Sequence, residues 1–170
     1  MLVDGHQVEV RRSVRRKRTV QARWEGDRII VFLPTGLPAS DERDHVHGLV
    51  RRLARRRPMP SDDALLARAR KLNQRYLGGL AEPVSVRWVT NQNTRWGSCT
   101  PSERSIRLSH RLHGHPGWVI DAVLLHELAH LLEPGHGPQF WALLEPYDRM
   151  ERARGYLEGL QAGLRERAGN

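Results

Sequence analysis

The sequence predicts an α+β domain, and three observations carry that expectation. Segments with strand-like alternation fall in two blocks, Val8 to Leu33 and Val84 to Ser109; capped helical stretches follow each block; and single strands and helices do not alternate in βαβ fashion. The chain has 170 residues, 39% hydrophobic and 28% charged, which suffices for one compact domain with a core and is short for two. Five Trp and clustered apolar residues argue for folding despite a mean hydropathy of -0.60.

In chain order, Val8 to Leu33 reads as a small sheet whose hairpin turns at Glu25-Gly26-Asp27. Ser40-Asp41 caps a helix through Arg56, and Arg57-Pro58-Met59-Pro60 breaks it from a second helix that starts at Ser61-Asp62 and runs to Tyr76 before Gly78-Gly79. Val84 to Val89, Arg95 to Cys99 and Ile106 to Ser109 read as strands, the last two joined at Pro101-Ser102, so a small antiparallel sheet is expected. Pro116 opens an apolar helix that runs to Glu133, because the residue before Pro134 is held out of helical geometry. Pro138 opens a short helix, and Asp148 with Glu151 starts a charged one reaching Arg167.

Lys and Arg number 28 against 19 Asp and Glu, a formal charge of +9. Such an excess attracts phosphates. Yet 26 of the 28 are arginine, with lysine only at Lys17 and Lys71, and the runs RRSVRRKR and RRLARRR read first as solvated faces. The apolar run Ile29 to Leu33 is five residues, against the roughly 18 to 20 of a membrane span. The first twenty residues lack the apolar stretch of a secretory signal. A single cysteine, Cys99, forms no internal disulfide. These features predict a cytoplasmic protein with no membrane contact.

The chemistry concentrates in His126-Glu127-Leu128-Ala129-His130, an HExxH spacing. Four residues apart on a helix, two imidazoles project from one face and reach a common metal at about 2.0 to 2.1 Å. Glu127 is turned about 100° from His126, so it stays off the metal yet reaches a water there. Val119, Ile120, Val123, Leu124, Leu125, Leu128, Leu131 and Leu132 cover nearly the whole circumference of this helix, which marks it as buried. Two imidazoles and a carboxylate on such a helix need partners, since burying them unpaired costs on the order of several kcal/mol, and a dication supplies them. His136, six residues after His130 and just past Pro134-Gly135, is the third expected ligand. That spacing is shared with metzincins, but Glu133 stands where their helix-ending glycine would be. Phe140, Trp141, Leu143 and Leu144 are spaced as a packing stripe that holds the His136 turn. His110, His113 and His115 read as surface or packing residues, and Cys99 as a small buried hydrophobe.

RWGSC at Arg95 to Cys99, the segment VIDAVLLHELAHLLEPGHGPQFW and the basic N-terminal hairpin, in that chain context, resemble the YgjP-like metallopeptidases, which are related to the SprT-like zincins. The resemblance implies a compact zincin-like metallopeptidase fold with an active-site helix, zinc held by His126, His130 and His136, and Glu127 as catalytic acid and base. The chain reads as residues 1–60, an N-terminal hairpin and helix in the same compact domain; 61–147, the catalytic core; and 148–170, a C-terminal helix. Arg95, Trp96, Gly97 and Ser98 would then edge the cleft and pair with an extended substrate or hold an anionic group, while Trp96 also suits core packing and Gly97 a close backbone approach. The sequence departs from relatives at Glu103-Arg104, where glycine is common.

The reading that follows is a zinc-dependent hydrolase, a peptidase acting on peptides or proteins, in which Glu127 takes a proton from an activated water and passes it to the leaving amine. HExxH specifies the activated water and not what it attacks, so a nucleoside triphosphate or other anionic substrate is a second expectation. A third is a DNA-associated module in which zinc is structural and the basic surface binds nucleic acid.

Overall fold

The computed structural model describes residues 1–25, 28–56 and 59–168. The chain divides into two compact units, residues 1–59 with 113–116, and residues 60–112 with 117–170. In the first, β1 (Leu2–Val3) and β2 (His6–Ser13) join through Asp4 and Gly5, both at positive φ (48° and 80°), the two-residue turn that Asp-Gly favours. β3 (Gln21–Glu25) and β4 (Arg28–Pro34) pair antiparallel from Gln21↔Phe32 to Glu25↔Arg28; Gly26 and Asp27 of the expected turn lie outside the described residues. Ile29, Val31 and Leu33 of β4 are fully buried and cluster with Val46 and Val50 of α1 (Ala39–Arg56). Of the expected break after α1, Arg57 and Pro58 lie outside the described residues.

In the second unit α2 (Asp62–Tyr76) is capped by Ser61, whose Oγ accepts from the Ala64 amide at 3.2 Å. β5 (Ser85–Val89), β6 (Gly97–Thr100) and β7 (Ser105–Ser109) form a sheet, followed by α3 (Gly117–Ala129), α4 (Pro138–Leu144) and α5 (Met150–Ala168). Val119, Leu124, Leu125 and Leu128 of α3 are fully buried in a core shared with α2, β5, β7, α4 and α5. Arg68 of α2 ties to α3 through Asp121 at 2.6 Å. No helix among the described residues is long and apolar enough to cross a membrane.

The fold is thus mixed α and β with small sheets and five α-helices among the described residues. The expected antiparallel sheet is corrected: the described residues form two sheets, ordered β1-β2-β4-β3 and β5-β7-β6, and both are mixed. β2 runs parallel to β4 and β5 parallel to β7. The reason lies in composition. β4 (RIIVFLP) and β7 (SIRLS) carry the fully buried aliphatics and take central positions, whereas the more polar β3 (QARWE) and β6 (GSCT) take edges. β2 and β5 each pair with the second arm of the hairpin that follows them, and each runs parallel to that arm.

Candidate metal centre

α3 carries His126 and Glu127 in its last turn and stops at Ala129, four residues before the expected end at Glu133. The His130 amide is 3.4 Å from the His126 carbonyl, and the Leu131 and Leu132 amides then donate three residues back, to Leu128 and Ala129, at 3.0 Å each. Pro134 excludes helical geometry at Glu133, and the chain tightens into a 3₁₀-type turn before it. This frees the Glu133 carbonyl, which lies 3.1 Å from His130 Nδ1. A carbonyl only accepts, so Nδ1 holds the ring proton and Nε2 is left with its lone pair.

His136 returns past the Pro134-Gly135 turn, and its Nε2 lies 3.0 Å from His126 Nε2. One ligand atom from each of His126, His130 and His136 falls within 4.8 Å of the others, the one such cluster of metal-ligating side chains among the described residues. Beneath them Phe140 of α4, 1% exposed, places its ring centroid 4.9, 4.6 and 4.7 Å from those of His126, His130 and His136. One aromatic ring thus sets the height of all three imidazoles.

Glu127 is 6% exposed. It fits because position 97 has no side chain: a β-carbon on Gly97 would stand 2.7 Å from Glu127 Oε1. Burial pushes the Glu127 carboxyl up to about 7, with Arg95 opposing. Burial, joined by His130, His136 and Arg154, pushes His126 down to about 4. His130 is lowered by burial against the Glu133 carbonyl. At neutral pH these two rings are neutral and their lone pairs free. Three imidazole donors suit zinc, and two nitrogens sharing one zinc stand about 3.4 Å apart, close to the 3.0 Å found between His126 and His136.

A cavity of about 290 Å³ adjoins His126 and Glu127. Arg95, Trp96 and Gly97 line it. Arg95 and Trp96 precede β6 rather than lying on the strand expected from Arg95. Ser98 is not on its wall; its hydroxyl accepts from Gln92 Nε2. Trp96 also packs on the core, under the Arg111 guanidinium at 4.6 Å. Sequence reasoning missed the far wall, Met150, Ala153, Arg154 and Leu157 of α5, although their i, i+3, i+4, i+7 spacing is a helical stripe. It also missed Gln92, buried with its Oε1 unpartnered.

The other singled-out residues are not part of the imidazole cluster. His110 Nδ1 is 3.3 Å from the Val89 carbonyl, and His113 and His115 belong to the first unit. Cys99 is half-buried, and burial with the Glu127 charge pushes its thiol up to about 11. At the departure noted above, Arg104 takes φ 49°, the left-handed region that glycine prefers, held by Nε donating to the Glu82 carbonyl at 2.6 Å.

Three convergent imidazoles beside a buried carboxylate are donors that a single metal ion could share. The chain belongs to the family whose model is the YgjP-like, metallopeptidase domain, which matches residues 33–158. No curated protein matches the chain.

Proposed function

We propose that the protein is a zinc-dependent peptidase in which His126, His130 and His136 hold one zinc ion and Glu127 moves the proton. The observation that carries this reading is the coincidence of the imidazole cluster with a carboxyl group buried against Gly97. Bound there, zinc supplies Lewis acidity and a water acidified towards neutral pH. A Glu127 oxygen accepts the proton of that water and returns it to the leaving amine nitrogen; its raised affinity for protons, set by burial, suits both halves of the task. His130 is oriented by the Glu133 carbonyl, and Phe140 keeps the three rings in register. Gly97 gives Glu127 its room, and the edge strand β6 offers unpaired backbone for an extended peptide.

Two features favour this over the rival readings. Structural zinc sites are closed by four protein ligands, and the cluster offers three. The exposed wall of the adjoining cavity is mostly apolar, which suits a peptide side chain better than a triphosphate. The test is a peptide panel with zinc-loaded protein and Glu127→Gln. The variant should lose about 10²- to 10⁴-fold in kcat while keeping its metal; undiminished turnover would contradict the role of Glu127.

The distribution of charge favours an accessory contact with nucleic acid. The first unit holds fourteen Lys and Arg against seven Asp and Glu, a net of +7, and the second fourteen against twelve, a net of +2. In the first unit Arg16, Arg23, Arg52 and Arg56 line one groove of about 570 Å³. Affinity for a single-stranded oligonucleotide that falls steeply with salt supports this contact, and none at moderate salt removes it.

A further inference from the structure

The cavity beside Glu127 measures about 290 Å³, at the lower bound of roughly 300 Å³ for pockets that enclose whole small-molecule ligands. It has room for a whole apolar side chain. Its walls are the Trp96 indole and the aliphatic groups of Ala122, Val123, Met150, Ala153 and Leu157. Such a surface holds water poorly and gains by taking apolar atoms. The charged residues that line it besides the site's own His126 and Glu127 are both cations, Arg95 and Arg154. Arg154 is fixed by Glu151 at 2.7 Å and stacks over Trp141 at 4.7 Å, so a positive charge stays at this wall. A basic substrate side chain would be repelled there.

Resting on the peptidase reading of the adjoining site, we propose that this cavity is a specificity pocket for an apolar side chain beside the scissile bond, leucine or larger, and that α5 sets that specificity. Three of its walls, Met150, Ala153 and Leu157, come from one face of α5, so the pocket's depth is written in a helix that contributes nothing to the imidazole cluster. Substitutions on that face change which residue is accepted without touching the donors.

The test has two arms on the full-length chain. In the first, N-acetyl-leucine methylamide and its alanine and lysine analogues are titrated into metal-free protein, followed by the methyl NMR signals of Ala122, Met150 and Ala153. The leucine probe should shift these signals with a dissociation constant at least about tenfold below that of the alanine probe, since a single methylene in an apolar pocket discriminates by about 10- to 200-fold. The lysine probe should leave them unmoved. Leu157→Ala, at a partly buried position, should move the preference towards phenylalanine, and Ala153→Leu towards alanine, with melting curves confirming that each is folded. In the second arm, zinc-loaded protein is given peptides varied on both sides of the cleaved bond, and kcat/KM should rank leucine above alanine above lysine on one side. Probes that leave the three methyls unmoved, or cleavage without such a ranking, overturn the pocket. Selective binding of the leucine probe with no cleavage of any peptide supports the pocket and overturns the peptidase reading instead.

Discussion

In the first unit β2, β4 and β3 stand in the same relation as β5, β7 and β6 in the second: a hairpin whose second arm is central and takes the preceding strand in parallel. What they bury differs. The centre of the first is aliphatic, Ile29, Val31 and Leu33 against Val46 and Val50, and its buried polar residue among those described is His6, which meets the Gly114 carbonyl at 3.2 Å. The second buries Asn73, Gln92, Ser109 and Glu127, and gathers three imidazoles at the end of its most buried helix. Strand order therefore does not make the centre; polar groups gathered at the end of an apolar helix do. The first unit carries a net charge of +7, and the second, at +2, buries Glu127 beside its imidazole cluster.

Glycines separate the two units most sharply. Gly97→Ala in the second puts a β-carbon 2.7 Å from Glu127 Oε1, so the carboxylate must move. It should lower kcat by about 10- to 100-fold, as a displacement near 1 Å does, and stability by about 1 to 3 kcal/mol through overpacking, with zinc content unchanged by elemental analysis. Gly48→Ala in α1 of the first meets nothing within 4 Å. It should raise stability by about 0.5 to 1 kcal/mol in a urea titration. Equal effects from the two would erase the contrast.

Between these lies a pH effect expected of the second unit. Burial raises the Glu127 carboxyl from its ordinary 4.5 to about 7. A group whose folded value is raised stabilises the fold fully below its unfolded value and loses that contribution as pH rises through the folded one. In metal-free protein the unfolding free energy should therefore fall between about pH 4.5 and 7 relative to Glu127→Gln. Parallel pH profiles for the two proteins would show that Glu127 is not desolvated. The smallest effect is chemical: with its thiol raised to about 11, Cys99 should react slowly with iodoacetamide at pH 8 and faster towards that value. Free-cysteine rates at pH 8 would contradict its half-buried place beside Glu127.

The parts of this centre that depend on spacing within one helix are legible in the sequence. His126, Glu127 and His130 follow from helical geometry, His136 from the Pro134-Gly135 turn, and the start of α2 from Ser61. What depends on non-local pairing is not. The parallel partnering of β5 with β7 is decided by which strand can be buried on both faces, a competition between segments far apart in sequence. The α5 wall was readable as a stripe, but a charged helix with apolar residues at i, i+3 and i+7 does not say which surface it covers. The early stop of α3 lay hidden for a subtler reason. Pro134 forbids helix at Glu133, yet it is the 3₁₀ tightening before it that turns the Glu133 carbonyl onto His130.

The central claim is that His126, His130 and His136 converge on one ion. Elemental analysis of purified full-length protein, beside His136→Ala and Glu127→Gln, tests it most directly. One zinc per chain in the parent and in Glu127→Gln, with little retained in His136→Ala, is the predicted pattern. A parent without bound metal, or a His136→Ala protein that keeps a full equivalent, would contradict it.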